Sequence, residues 1–154
     1  ALAVALVTAA CSGPLYAPRQ PNAGTATLEV AGASHGLVTD VWVFLDDRCE
    51  KGPGAGRLVR MPRGPTVRSY EIEAGRPLFV RGYGSDPTRL KLDCIVMAQL
   101  TPVAGRTYRL THTSDYRQVC RFELVDSGSG RFPTEARSVP VRDECLSNLR
   151  RWED

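Results

Sequence analysis

From residue 25 onward, apolar and polar residues alternate in short runs separated by glycine or proline, and this period of two restricts the fold more than any other feature. In TATLEVAG, residues 25–32, Ala26, Leu28 and Val30 point one way and Thr25, Thr27 and Glu29 the other, as in a strand with one buried face. VTDVWVFLDD, residues 38–47, differs. Val41, Val43 and Leu45 share one side while Trp42 and Phe44 share the other, so this strand needs cover on both faces and belongs inside a sheet. Further strands are predicted at 57–61, 67–73, 77–83, 92–100, 106–112 and 118–126. The connections AGRP (74–77) and TPVAG (101–105) have the length of hairpin turns. Eight short strands at this spacing predict an all-β domain. The expected architecture is an antiparallel β-sandwich of immunoglobulin or prealbumin type, with a small β-barrel as the alternative. RDECLSNLRRW, residues 142–152, is the one helical segment: Asp143 can cap it, and Cys145, Leu149 and Trp152 recur on one face.

A chain of 154 residues supports one domain, here 25–154, with a sizeable core. Its 42% hydrophobic and 24% charged content is that of a globular protein rather than a disordered one. The net charge of +3 comes from 20 basic and 17 acidic residues scattered along the chain. A nucleic-acid binder gathers a larger excess into a stripe, so that partner class is not expected. Arginine supplies 18 of the basic residues, Lys51 and Lys91 being the only lysines, but so even a spread marks no particular clamp. No apolar stretch reaches the roughly 20 residues that a bilayer-spanning helix requires.

Residues 1–10, ALAVALVTAA, carry no charge and end in small residues, as the apolar core and cleavage region of an export signal do. They are expected to be a truncated signal-peptide remnant. Val7, Thr8, Ala9, Ala10 and Cys11 resemble the lipobox of bacterial lipoproteins, with Thr8 where that family prefers leucine. The resemblance implies that Cys11 is acylated on sulfur and becomes the mature N-terminus. It also implies that Ser12 favours outer-membrane sorting where such sorting exists. Residues 11–24 then read as lipidated cysteine and tether, since Pro14, Pro18 and Pro21 make a semi-extended segment with roughly 3 Å of reach per residue.

The five cysteines are Cys11, Cys49, Cys94, Cys120 and Cys145. Assigning Cys11 to lipid leaves four, enough for two disulfides, with three pairings open. Cys94 and Cys120 sit inside strand-like segments and Cys49 and Cys145 at element ends, which favours Cys94–Cys120 and Cys49–Cys145. The bridge across the shorter loop would contribute about 3 kcal/mol and the longer one more. The order IEAGRPLFVRGYGSD, CIVMAQLTPVAGRTYRL, CRFELVD resembles a group of small uncharacterised bacterial lipoproteins. The matching features are Ala74-Gly75-Arg76-Pro77, Cys94, the Pro-x-x-Gly-x-x-Tyr turn at 102–108 and Cys120, within residues 70–126. That resemblance implies a sandwich with a Cys94–Cys120 bridge and carries no activity.

Chemistry-bearing constellations are few. His112, Ser114 and Asp115 in THTSDY are the residue types of a hydrolase triad. As near neighbours they do not line up nucleophile, base and orienter, and a polar loop is expected instead. His35 has no partner in sequence, and two histidines make no metal cluster. Asp46 and Asp47 lack the spaced, glycine-containing loop of a Ca²⁺ site and read as a strand end capped locally. EKGPGAGR lacks the lysine and hydroxyl of a phosphate loop, and GYGSD lacks dinucleotide and nucleophile-elbow spacing. DSGSGRF, residues 126–132, resembles the Ser-Gly-x-x-Tyr loop of membrane-bound lysozyme inhibitors but places Arg131 where they have tyrosine. It is expected to be a flexible loop after the last strand.

The function expected from sequence is a non-catalytic, lipid-anchored binding or envelope-scaffold module. It would hold the membrane through Cys11, face the periplasm of a bacterial cell envelope at the outer membrane, and meet an envelope protein partner without any cofactor. Arg81, Tyr83 and Arg89, near RGYGSDPTR, are expected to form a contact loop, because tyrosine and arginine dominate interface anchors. Two alternatives stand beside this: an inhibitor of a cell-wall hydrolase such as lysozyme, and a hydrolase whose site is dispersed along the chain.

Overall fold

A computed structural model of the chain describes residues 14–19, 24–35, 38–61, 64–85, 94–115 and 120–153. Among them lie nine strands and one helix: β1 (Thr25–His35), β2 (Val38–Phe44), β3 (Gly56–Arg60), β4 (Gly64–Glu73), β5 (Leu78–Ser85), β6 (Cys94–Leu100), β7 (Thr107–Asp115), β8 (Cys120–Asp126), β9 (Ala136–Val139) and α1 (Asp143–Glu153). They form two sheets, β4-β1-β7-β8 and β3-β2-β5-β6-β9. Neither closes on itself, and the two pack face to face as a β-sandwich.

The alternation read from sequence places the core. Ala26, Leu28 and Val30 of β1 meet Val41 and Val43 of β2, Leu78 and Val80 of β5, and Tyr108 and Leu110 of β7 in the central layer. Trp42 and Phe44 face the other way, into a second apolar layer with Ala55, Met97, Cys49 and Cys145. The cover demanded by the two-sided β2 is thus supplied by the segment after β2 and by α1. Arg142 pairs with Asp47 at 2.7 Å, and Asn148 donates to the Arg48 carbonyl at 2.8 Å. The Cys49–Cys145 disulfide joins the same two elements. Asp46 Oδ1 accepts from the amides of Arg48 and Glu50, so the Asp46–Asp47 strand end is capped locally.

Several connections differ from expectation. AGRP and TPVAG are not hairpins: the first leads from β4 to β5 and the second from β6 to β7, and each crosses from one sheet to the other. Gly75 (φ 80°) and Gly105 (φ 76°) take the left-handed conformation that such tight corners need. The corners are tied together, Gly75 donating to the Pro102 carbonyl at 2.8 Å and Gly105 to that of Thr25 at 2.9 Å. Because β7 re-enters its sheet beside the start of β1, those two strands pair in parallel, Thr27 opposite Thr107, while the other strand pairs are antiparallel. Strand β9 carries no apolar alternation and was not predicted; it extends the larger sheet by pairing with β6.

The expected tether is partly docked. The Tyr16 amide donates to the Arg57 carbonyl at 3.0 Å and the Arg57 amide to that of Pro14 at 2.9 Å, so residues 14–16 extend the larger sheet beyond β3. Tyr16 packs against the central core, and its hydroxyl accepts from the Glu73 amide at 3.1 Å. Burial of an aromatic ring outweighs the polyproline preference of its neighbours. Cys11 lies outside the described residues.

Candidate functional site

Where β7 begins and β8 ends, residues 126–135 fold back before β9, and Asp126 organises the turn. Its carbonyl accepts from the Gly130 amide, its Oδ1 accepts from the Ser129 amide, and its own amide donates to the Arg131 carbonyl, each at 2.8 Å. The Ser127 amide donates to the Thr107 carbonyl at 2.9 Å, which fastens the turn to β7. Gly130 (φ 66°) completes the bend. The segment expected to be a flexible loop after the last strand is therefore hydrogen-bonded through, and a strand follows it. Asparagine and aspartate hold such turns by accepting from amides two or three residues on.

Beside this turn lies an open groove of about 820 Å³, lined by residues 105–107, 126–129 and 131–135. On the other side of Phe132, a cleft of about 310 Å³ opens between β8 and β9, with Phe122, Leu124 and Ala98 in its wall. Phe132 is half exposed and belongs to both walls.

Three of the groove's ionisable groups, Arg106, Asp126 and Glu135, are occupied with one another. Arg106 Nη1 lies 3.0 Å from Glu135 Oε1 and 3.7 Å from Asp126 Oδ2. The buried Tyr108 donates its hydroxyl proton to Glu135 at 2.7 Å and accepts from the Val103 amide at 3.0 Å. Thr134 donates to the other Glu135 oxygen at 3.1 Å. The Tyr108 hydrogen bond holds the Glu135 carboxyl below its ordinary pKa, while burial and then that same bond hold the Tyr108 hydroxyl above its own. Neither approaches the near-neutral pKa that proton transfer asks for.

Two of the three residues of the expected contact loop lie in a strand instead. Arg81 and Tyr83 lie within β5, and Arg81 is 1% exposed, in register between Trp42 and Met97. Its guanidinium carbon stands 5.0 Å from the Tyr83 ring centroid. The reason is alternation: Val80 and Gly82 face the central core, which sends Arg81 to the face already carrying Trp42 and Phe44. Arg89 lies outside the described residues. Both expected disulfides are present: Cys94–Cys120 joins the two sheets at the end of the sandwich away from the groove, and Cys49–Cys145 closes a span of 96 residues.

His112, expected in a polar loop, is buried inside β7. Its Nδ1 lies 3.3 Å from the Arg121 carbonyl, and Gly82 leaves room for its ring, a Cβ there falling 2.9 Å from it. Burial keeps the imidazole below its ordinary pKa. Ser114 and Asp115 follow in the same strand, and His35 ends β1. Among the described residues, no group of three or more His, Cys, Asp or Glu side chains is placed to hold a metal ion. Nor is any helix among them long and apolar enough to cross a membrane. Arg106, Tyr108 and Glu135 were missed by sequence reasoning, since nothing local links residues 27 to 29 positions apart.

No family model matches the chain, and no curated protein matches it. Among solved structures it is similar to the SPH (self-incompatibility protein homologue) proteins, described as small, highly stable and secreted, from plants. Identity is 10%, coverage is 77% of this chain and 97% of that one, and the TM-score is 0.32. At that level the likeness carries no argument for this chain.

Proposed function

We propose that the chain is a non-catalytic binding module of a bacterial cell envelope, lipid-anchored through Cys11, facing the periplasm at the outer membrane, and working through residues 126–135. One observation carries this: Arg106, Asp126, Tyr108 and Glu135 are committed to one another, while Arg131 and Phe132 stand exposed on a hydrogen-bonded turn. Rigid presentation of an arginine beside an aromatic ring suits recognition, where these residue types supply much of the binding energy. The two disulfides favour an oxidising compartment outside the cytosol, and they pair every cysteine except Cys11.

The test is to express the full precursor in a bacterial host, with a photo-crosslinking amino acid at position 132 or, for comparison, at the exposed Val67 of β4. An acyl mass on Cys11 and envelope crosslinks specific to position 132 are expected. An unmodified Cys11 would remove the anchor, and equal crosslinking at both positions would remove the working face.

A second reading, inhibition of a cell-wall hydrolase, is favoured by the exposure of residues 127–132, the segment that resembles an inhibitor loop. It predicts lysozyme inhibition that Arg131→Ala abolishes, and wild-type protein without inhibition ends it.

A further inference from the structure

We infer that the groove beside Phe132 is a binding site for a neutral oligosaccharide. This deepens the proposal above and rests on residues 126–135 being the working face.

Charge balance comes first. The ionisable side chains of the lining are Arg106 and Arg131 against Asp126 and Glu135, two of each sign. A free anion entering the groove meets two carboxylates and a free cation meets two guanidinium groups, and stripping water from a charged ligand is costly without a dedicated partner. A neutral ligand escapes that cost. Hydrogen-bonding character comes second. Ser127 and Ser129 bring hydroxyls that both donate and accept, Thr134, whose proton is held by Glu135, brings an oxygen that accepts, the half-exposed Arg106 donates, and the carboxylates of Asp126 and Glu135 accept. Each sugar hydroxyl has the same dual character, so a polyol can answer this mixture group by group. The carboxylates are already oriented, Asp126 by the Ser129 amide and Glu135 by Tyr108, so little ordering is left for binding.

Phe132 supplies the third element. Its ring is 50% exposed on the groove wall, with no hydroxyl of its own to satisfy. A flat apolar face beside hydrogen-bonding groups complements a pyranose ring, whose C–H face is apolar and whose edge is polar. The groove volume of about 820 Å³ falls in the range of ligand sites and exceeds what a single sugar ring needs.

The test is amide NMR titration of the full chain with chitotetraose and cellotetraose, using a tetra-aspartate peptide as the charged control. Saturable shifts confined to Thr107, Ser127, Gly128, Ser129 and Phe132 are expected with at least one glycan. Binding should weaken about tenfold or more in Phe132→Ala and persist in Phe132→Tyr, with both spectra otherwise native. Absence of shifts with both glycans overturns the inference, as do shifts that Phe132→Ala leaves unchanged or stronger binding of the acidic peptide. If both glycans fail while position 132 still crosslinks specifically in cells, the glycan assignment falls and the binding-module reading survives. If both measurements fail, both fall.

Discussion

Arg81 and Arg131 are the same residue type with opposite fates. Arg81 is buried within β5, between Trp42 and Met97 and against the Tyr83 ring, whereas Arg131 is exposed on a turn that Asp126 holds together. The difference teaches that a neighbourhood rich in glycine and arginine does not announce a surface. What decides is the face to which strand alternation sends the side chain and whether another element covers that face. Here α1 and the Cys49–Cys145 disulfide belong to the cover over the sheet face that carries Arg81.

The strongest attack on the contrast is to remove that cover. Cys49→Ser together with Cys145→Ser should cost about 4 kcal/mol in chemical denaturation, because the lost link spans 96 residues. Hydrogen exchange should rise first in β2 and β5, with the amides of 126–131 protected as before. Loss of protection at both places together would mean that the two regions are not separable.

Single substitutions sharpen the pair. Arg81→Ala should destabilise by about 3 kcal/mol, since it empties a buried site and strands what the guanidinium meets, while Arg131→Ala should stay within about 0.5 kcal/mol. Equal costs in denaturation would erase the distinction. Tyr108→Phe tests the groove more gently. It should cost about 1 kcal/mol and let the Glu135 carboxyl titrate closer to its ordinary range, which carboxyl-detected NMR reads directly.

Acid separates the regions without mutation. His112 is folded in its neutral form with a lowered pKa, so the stability it contributes is complete above its usual 6.5 and declines as pH falls below that value. The groups facing it are the main chain of Arg121 on β8 and of Tyr83 on β5, together with the Phe122 ring. Glu135 runs the other way. Its folded pKa is lowered from 4.5, so its contribution is present above that value and is lost only at still lower pH. Denaturation curves between pH 7.5 and 5 should therefore show the sandwich weakening while the Tyr108–Glu135 pair stays intact. A flat wild-type profile, or a decline that His112→Gln leaves unchanged, would contradict the burial of a neutral imidazole.

Much of the sandwich was legible because period-two alternation is a direct record of faces: Ala26, Leu28 and Val30 inward, Trp42 and Phe44 against a second layer. The disulfide pairing was legible from position, Cys94 and Cys120 lying inside strand-like segments and Cys49 and Cys145 at element ends. Strand direction at the corners was not, because a tight glycine turn such as 74–77 looks the same whether it returns to its own sheet or crosses to the other. Strand β9 was hidden because ARSV, at a sheet edge, needs no apolar stripe. The burial of Arg81 was available in principle, since the apolar faces of Trp42 and Phe44 already required cover over their side of the sheet. The groove was out of reach: its Tyr108–Glu135 and Arg106–Glu135 pairs join residues 27 and 29 positions apart, and only folding brings them together. One local signal did exist, the aspartate followed by Ser-Gly-Ser-Gly, which favours an ordered turn over a loose one.

The docked segment at residues 14–16 sets where the domain begins. A bare sheet edge is a template on which foreign strands can polymerise, and proteins guard such edges. In this molecule the guard on β3 is nine to eleven positions upstream of β1, with Tyr16 packed on the core and hydrogen-bonded to the end of β4. A recombinant chain started at Thr25 would keep every strand, yet it would bare the β3 edge at Arg57 and open a gap beside the core. Its failing would be self-association on standing rather than any loss of secondary structure.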